Sequence, residues 1–139
     1  DSKETLTAIE KLQAFINTFP ESEYIAEANE LIFDLDFRLE MKAYDTAFQY
    51  NTLSDYQASI KSFDNFILDF PGSRLREKAM YYRFDSSYKL AINSVSWRMQ
   101  ERIDKAISYF NSFKRSYESS EFIEEAEIKL NELKELKTT

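Results

Sequence analysis

The chain has 139 residues, 43% of them hydrophobic and 16% aromatic, which is enough apolar material for one sizeable core. Histidine and cysteine are absent and there is one glycine, which excludes imidazole and thiol catalysis, zinc clusters, disulfides and glycine-rich phosphate loops. A formal charge of -7 argues against general affinity for nucleic acid or anionic lipid, and one glycine with two prolines cannot supply the turns of a sandwich or barrel, so long helices remain.

The chain opens on Asp1-Ser2-Lys3-Glu4 and passes at once into an amphipathic pattern that runs through Ile9, Leu12 and Phe15. Phe19-Pro20-Glu21-Ser22 should stop this first helix. Proline cannot join an interior helical ladder and biases the residue before it away from helix, while the serine oxygen can cap the first free amides of the next helix. Ser22 to Thr52 contains neither Gly nor Pro and places apolar residues at Tyr24, Ala28, Leu31, Ile32, Leu35, Leu39, Ala43, Ala47 and Tyr50. This predicts one long helix near 22–52, or two nearly coaxial ones. Ser54-Asp55-Tyr56-Gln57 has the pattern of a capping box for a third helix carrying Ile60, Phe63, Ile67 and Phe70. A second corner, Phe70-Pro71-Gly72-Ser73, leads into a helix from Ser73 to Asn93, and the polar break Asn93-Ser94-Val95-Ser96 leads into another from Trp97 to Ser116. Tyr117-Glu118-Ser119-Ser120 lacks proline and must turn by capping alone before a last helix to Lys137. All six helices are expected to be amphipathic.

Three stretches overlay: Ile9 to Phe15, Ile60 to Phe66 and Ile107 to Phe113. A constant offset of 51 residues relates Ile9 to Ile60 and Ala28 to Ala79, and a constant 47 relates Ile60 to Ile107 and Ala79 to Ala126. Each unit is a helix, a tight corner and a helix. None can bury its stripe alone, so the expected architecture is an all-α solenoid of six antiparallel helices sharing a continuous core, a single repeat domain over residues 1–139.

Ala47-Phe48-Gln49-Tyr50, then Tyr56, Ile60, Phe63, Phe66 and Pro71, resembles the tetratricopeptide pattern. Ser59 stands where that pattern usually has Ala, Phe66 replaces a small residue, and the repeat is longer than the usual ~34 residues. A closer resemblance covers nearly the whole chain. Phe15 to Tyr24, the helix from Leu31 to Tyr50, Asp55 to Ile60 and Phe70 to Ser73 resemble the BamD family of outer-membrane assembly lipoproteins. Ala79 to Tyr82, Ser86 to Ser94 and Gln100 to Arg102 look like its Bacteroidetes-type form. The resemblance implies a non-enzymatic periplasmic scaffold, without cofactor or metal, of the machine that inserts β-barrel proteins into the outer membrane. Its implied partners are the POTRA domains of the barrel subunit, other assembly lipoproteins and unfolded outer-membrane proteins. It further implies that a lipidated N-terminal cysteine and a first repeat lie upstream of Asp1, the lipid being the sole membrane contact. The other reading is a peptide-binding tetratricopeptide adaptor or cell-envelope coordinator.

Charge is unevenly spread: residues 48–117 carry seven acids and eleven bases, while both flanks are acidic. Arg74, Arg76, Lys78, Arg83, Lys89, Arg98, Arg102 and Lys105 supply the excess, either as a solvated face or as a dock for an acidic surface. Trp97, the single tryptophan, lies beside Arg98 at a polar break and suits either corner packing or an interface anchor. Tyr81, Tyr82 and Tyr88 fall on more than one helix face, so some of them should reach a groove or partner. Tyr44 and Tyr50, on the long helix, either present phenols at a concave surface or are ordinary tyrosines that snorkel to water. The candidate partner-binding residues are therefore Trp97, Arg98, Arg102, Arg83, Tyr81 and Tyr44. Carboxylates such as Asp34, Asp36, Glu124, Glu125 and Glu127 read as solvated faces, and serines at helix starts read as caps, because no base is present to activate them.

Overall fold

Apolar residues three and four apart, with few helix breakers between them, give six helices in the computed structural model, which describes residues 2–138. They are α1 (Ser2–Thr18), α2 (Ile25–Thr52), α3 (Tyr56–Asp69), α4 (Arg76–Ile92), α5 (Ser96–Ser116) and α6 (Ile123–Thr138). The fold is an all-α, tetratricopeptide-like repeat array. The long helix is α2, one uninterrupted run of 28 residues. Contacts divide the chain into two compact units, Asp1–Lys42 and Ala43–Thr139, with α2 running from the first into the second.

The three corners are built alike. The amide of Phe19, Phe70 or Tyr117 donates to the carbonyl four residues back, closing the outgoing helix. The amides of Ser22, Ser73 and Ser120 then donate to those same aromatic residues at 3.0, 3.1 and 3.1 Å. Each serine hydroxyl accepts from the amide two residues on, in Tyr24, Leu75 and Phe122, at 3.1, 3.0 and 3.1 Å. The third corner repeats the first two without a proline, so aromatic packing and the serine suffice. The magnitudes agree, since burying an aromatic ring contributes about 2–3 kcal/mol and a serine cap about 1. The helices after the corners begin at Ile25, Arg76 and Ile123, three residues later than expected, because the serine closes a turn of its own before the first helical residue.

In the unit Ala43–Thr139 the centre is α4, against which α3, α5 and α6 all pack. Its main core joins Met80, Tyr81, Phe84, Tyr88 and Ala91 of α4 to Ile103, Ala106, Tyr109, Phe110 and Phe113 of α5 and to Ala126, Leu130 and Leu133 of α6. A second cluster packs Ala47 of α2 against Phe63 and Phe66 of α3 and Ala79 of α4. The expectation that all six helices are amphipathic fails for α4. With helices on three sides it buries the consecutive residues Phe84, Asp85, Ser86, Ser87 and Tyr88. The expectation that some of its tyrosines reach a groove or partner fails for Tyr81 and Tyr88, which are buried for the same reason, while Tyr82 is half-buried.

The expected capping box is shifted by one residue. Ser54 has φ of 63°, the left-handed region, and Asp55 is the N-cap of α3, accepting from the Ala58 amide at 3.3 Å. The amides of Ser54 and Asp55 return to Asn51 and Tyr50, the pattern that ends a helix when the residue past its end is left-handed, a place glycine usually takes. Ser54→Gly should therefore raise unfolding free energy by about 0.5–1 kcal/mol, the left-handed cost less the extra freedom of glycine in the unfolded chain. Thermal unfolding checks this. A lowered midpoint would mean that the Ser54–Tyr56 hydroxyl contact at 3.2 Å outweighs the backbone strain.

Candidate functional site

Unit Ala43–Thr139 combines a rigid buried tie with an exposed edge. The tie starts at Asp85, whose side chain is only 3% exposed. Lys129 donates to one of its oxygens at 2.7 Å, and Lys89 and Asn51 donate to the other at 2.9 and 3.1 Å. The second Asn51 amide hydrogen goes to the Ser86 hydroxyl at 2.7 Å, and its oxygen accepts from Lys89 at 2.9 Å. Ser59 donates to the Ala47 carbonyl at 3.1 Å, so of the two hydroxyls 2.7 Å apart it is Ser86 that donates to Ser59. The serine at a usual alanine position thus joins a hydrogen-bonded chain linking α2, α3 and α4, and Lys129 extends it to α6.

Electrostatics follow from this geometry. Burial alone would raise the Asp85 carboxyl, but hydrogen bonds from Lys129 and Lys89, with their charges, more than offset it and hold the group below its usual range. Burial would lower the Lys129 ammonium, but Asp85 and Tyr81 together raise it. Lys129 also donates to the Tyr81 hydroxyl at 2.6 Å and lies 5.1 Å from that ring's centroid. Burial pushes the Tyr81 phenol up to about 12, despite that lysine.

Of the six sequence candidates, the structure brings Trp97, Arg98 and Arg102 together at the start of α5. Trp97 is 77% exposed, the Arg98 guanidinium lies 4.9 Å from its ring centroid, and Arg102 donates to the Ser94 hydroxyl at 2.7 Å. The exposed Val95 adjoins them. The Lys89 bond to Asn51, with the Lys89 ammonium 6.0 Å from the Tyr56 ring, ties the end of α2 and the start of α3 to α4, and Leu53, just past the end of α2, is exposed.

The other three lie elsewhere. Arg83 makes an ion pair with Asp64 at 2.9 Å and stacks 4.3 Å from the Tyr109 ring centroid. Tyr81 is 2% exposed, its ring between Phe122 and Phe113, with centroids at 4.7 and 5.8 Å. Tyr44 packs edge-on against Phe63 and Phe66, and burial raises its phenol, with Tyr82 and Asp45 adding to the effect. The sequence reading missed Asp85, Asn51, Ser59 and Lys129. Its available signal was the polar triplet Asp85-Ser86-Ser87 in the middle of a helix rich in aromatics.

Among the described residues no group of three or more acidic side chains is arranged to hold a metal ion, and no helix is long and apolar enough to cross a membrane. The arrangement defines a helical-repeat protein that offers surfaces. The chain belongs to the YfiO family of outer membrane lipoproteins, whose model matches residues 38–137, a span that includes the Asp85 tie and the Trp97 edge. This is the family of the BamD resemblance, a scaffold-type family and not one of known enzymes. No curated protein matches the chain.

Breaking the tie should be costly. Asp85→Ala leaves Lys129 and Lys89 facing a buried site without their counter-charge and should cost about 3–5 kcal/mol by denaturant unfolding at neutral pH. The Asp85 pKa is lower folded than unfolded, so its contribution is complete above the unfolded value of about 3.9 and is lost as pH falls through the lower folded value. Asp85→Asn should flatten the fall of stability in that acid window. An unchanged acid slope would show that the carboxylate carries no linkage.

Proposed function

We propose that the chain is a non-enzymatic scaffold of the machinery that assembles β-barrel proteins in the outer membrane, working at its periplasmic face as a BamD-type subunit. In this reading residues 1–139 act as one tetratricopeptide-like repeat domain, and the POTRA domains of the barrel subunit dock on the edge formed by Val95, Trp97, Arg98 and Arg102. Other assembly lipoproteins and unfolded outer-membrane proteins are further partners of the same scaffold. The observation that carries the reading is the exposed Trp97–Arg98 pair beside an Arg102 held by Ser94, in a chain of an outer membrane lipoprotein family.

The mechanism is geometric. The Asp85 tie fixes α2, α3, α4 and α6 against one another, so the edge keeps its shape when a partner arrives, and little side-chain or loop ordering has to be made up from contacts. Arginine charges steer an acidic partner surface, and the tryptophan supplies an anchor that loses water on docking.

Purified POTRA domains should bind the chain at low salt, with binding weakening as salt rises. The double variant Arg98→Glu with Arg102→Glu should slow association by about tenfold at low salt, while Trp97→Ala should mainly speed dissociation, by about tenfold or more. Absence of binding at low salt overturns the docking. Intact binding with an unchanged on-rate removes the basic edge from it.

A further inference from the structure

Arg83 and Lys105 belong to the basic middle of the chain, and the Trp97 edge uses neither. They meet elsewhere. α3 and α5 both pack on α4 but not on each other, and side chains of all three helices, Asp64, Arg83 and Tyr109, fill the furrow between them. Arg83 donates to one Asp64 oxygen at 2.9 Å and lies 4.3 Å from the Tyr109 ring centroid, while the Tyr109 hydroxyl donates to the other Asp64 oxygen at 3.4 Å. Lys105, one turn before Tyr109 on α5, holds its ammonium 5.1 Å from the same centroid. Two cations therefore lean on one buried ring.

Charge in the furrow does not balance. Asp64 already serves Arg83 and Tyr109, and neither Lys105 nor Lys61, one turn before Asp64 on α3, makes an ion pair among the described residues. Three cations surround one carboxylate, and even Glu101, a turn before Lys105, leaves them in excess. Arg83 also has a donor to spare, since among the described residues its buried Nε has no hydrogen-bond partner. Cations held against one ring repel each other, and a buried donor without an acceptor is costly, so an added carboxylate relieves both. Leu68, one turn beyond Asp64 and on the same side of α3, stands 78% exposed beside these charges.

We infer that this furrow binds an acidic amphipathic segment of a partner protein, which sets a carboxylate between Lys105 and Arg83 and lays an apolar side chain over Leu68. An inorganic anion would satisfy the charges and leave Leu68 in water, whereas a polypeptide segment meets both. The net charge of -7 sets second copies of the chain against each other, so the segment belongs to a different protein.

A labelled peptide in which Glu-Leu-Glu-Glu-Leu-Glu-Glu is repeated twice serves as the probe, titrated with the 139-residue chain by fluorescence anisotropy. Saturable binding that weakens as salt rises is expected. Lys105→Glu and Leu68→Glu, both at exposed positions, should each weaken it by about tenfold or more. Arg83→Gln should act in the same direction, and the two exposed positions keep the test decisive if that variant unfolds. Lys134→Glu makes the same change of charge as Lys105→Glu on the exposed side of α6 and should leave binding unchanged. A peptide with Lys in place of every Glu should not bind. Equal binding to the wild-type, Lys105→Glu and Leu68→Glu chains overturns the site, as does no saturable binding up to about 1 mM. An equal loss in Lys134→Glu would reveal a general effect of net charge and overturn it too. Self-association of the chain that Lys105→Glu abolishes would assign the furrow to a second copy and overturn the separate partner.

Discussion

A carboxylate almost wholly withdrawn from water sets the terms for the unit Ala43–Thr139. An ionised group in such a place is tolerated only if paired and hydrogen-bonded, and Asp85 has two ammonium groups and one amide within 3.1 Å. Those donors come from α2, α4 and α6, so the charge stays satisfied only while the three helices keep their relative placement. Apolar packing of the same elements is stronger in total, since each buried aromatic contributes about 2–3 kcal/mol, but it is non-directional and tolerates sliding. The ionic tie adds register to a core that would otherwise supply mainly cohesion.

The corners solve a different problem. A helical hairpin that must be repeated needs the same turn each time, and Phe-Pro-x-Ser encodes it locally: the aromatic closes one helix, proline forbids continuation, and serine satisfies an amide of the next. At Tyr117-Glu118-Ser119-Ser120 the proline is missing and the hydrogen bonds are unchanged. Proline thus rules out an alternative that the serine and the aromatic already disfavour. Glu77 also accepts from the Ser120 hydroxyl at 2.7 Å, and Arg76 donates to the Tyr117 hydroxyl at 3.1 Å, so α4 clasps that corner from outside.

Most of what depends on neighbours in sequence was legible: the helices, the repeat offsets, the corners and the long α2, though the cap of α3 lies one residue later than its pattern suggested. Residues 34 to 44 apart meet in the Asp85 tie, and nothing local in Asn51 or Lys129 marks them as partners of a buried carboxylate. The burial of α4 on three sides was hidden for a related reason. Periodicity describes one helix and its stripe, whereas the number of helices packed against it is a property of topology. Tyr81 shows the cost: on an isolated amphipathic helix it looks available to a partner, and under α6 it becomes a core residue. Trp97, Arg98 and Arg102 were readable as a group because they share one turn and one helix start, where neighbours in sequence are neighbours in space.

Rigidity and exposure are distributed in complementary fashion. The polar tie and the aromatic clusters sit where α2, α3, α4, α5 and α6 of one unit meet, while the turns after α2 and α4 leave Leu53, Val95 and Trp97 in water although buried positions were available to residues of the same kind. Isolated exposed apolar residues need no explanation, but Val95 and Trp97 lie two residues apart at one helix start, with a guanidinium stacked on the larger. The outer side of α6 differs. Glu124, Glu125, Asn131, Glu132, Lys134 and Glu135 are exposed around Ile128, a surface that is polar apart from that one residue. The proposed scaffold role calls for this division, since a surface offered to partners must be held by parts that do not yield to them. In this chain the same helix, α4, both anchors the tie through Asp85 and leads directly into the turn that presents Trp97.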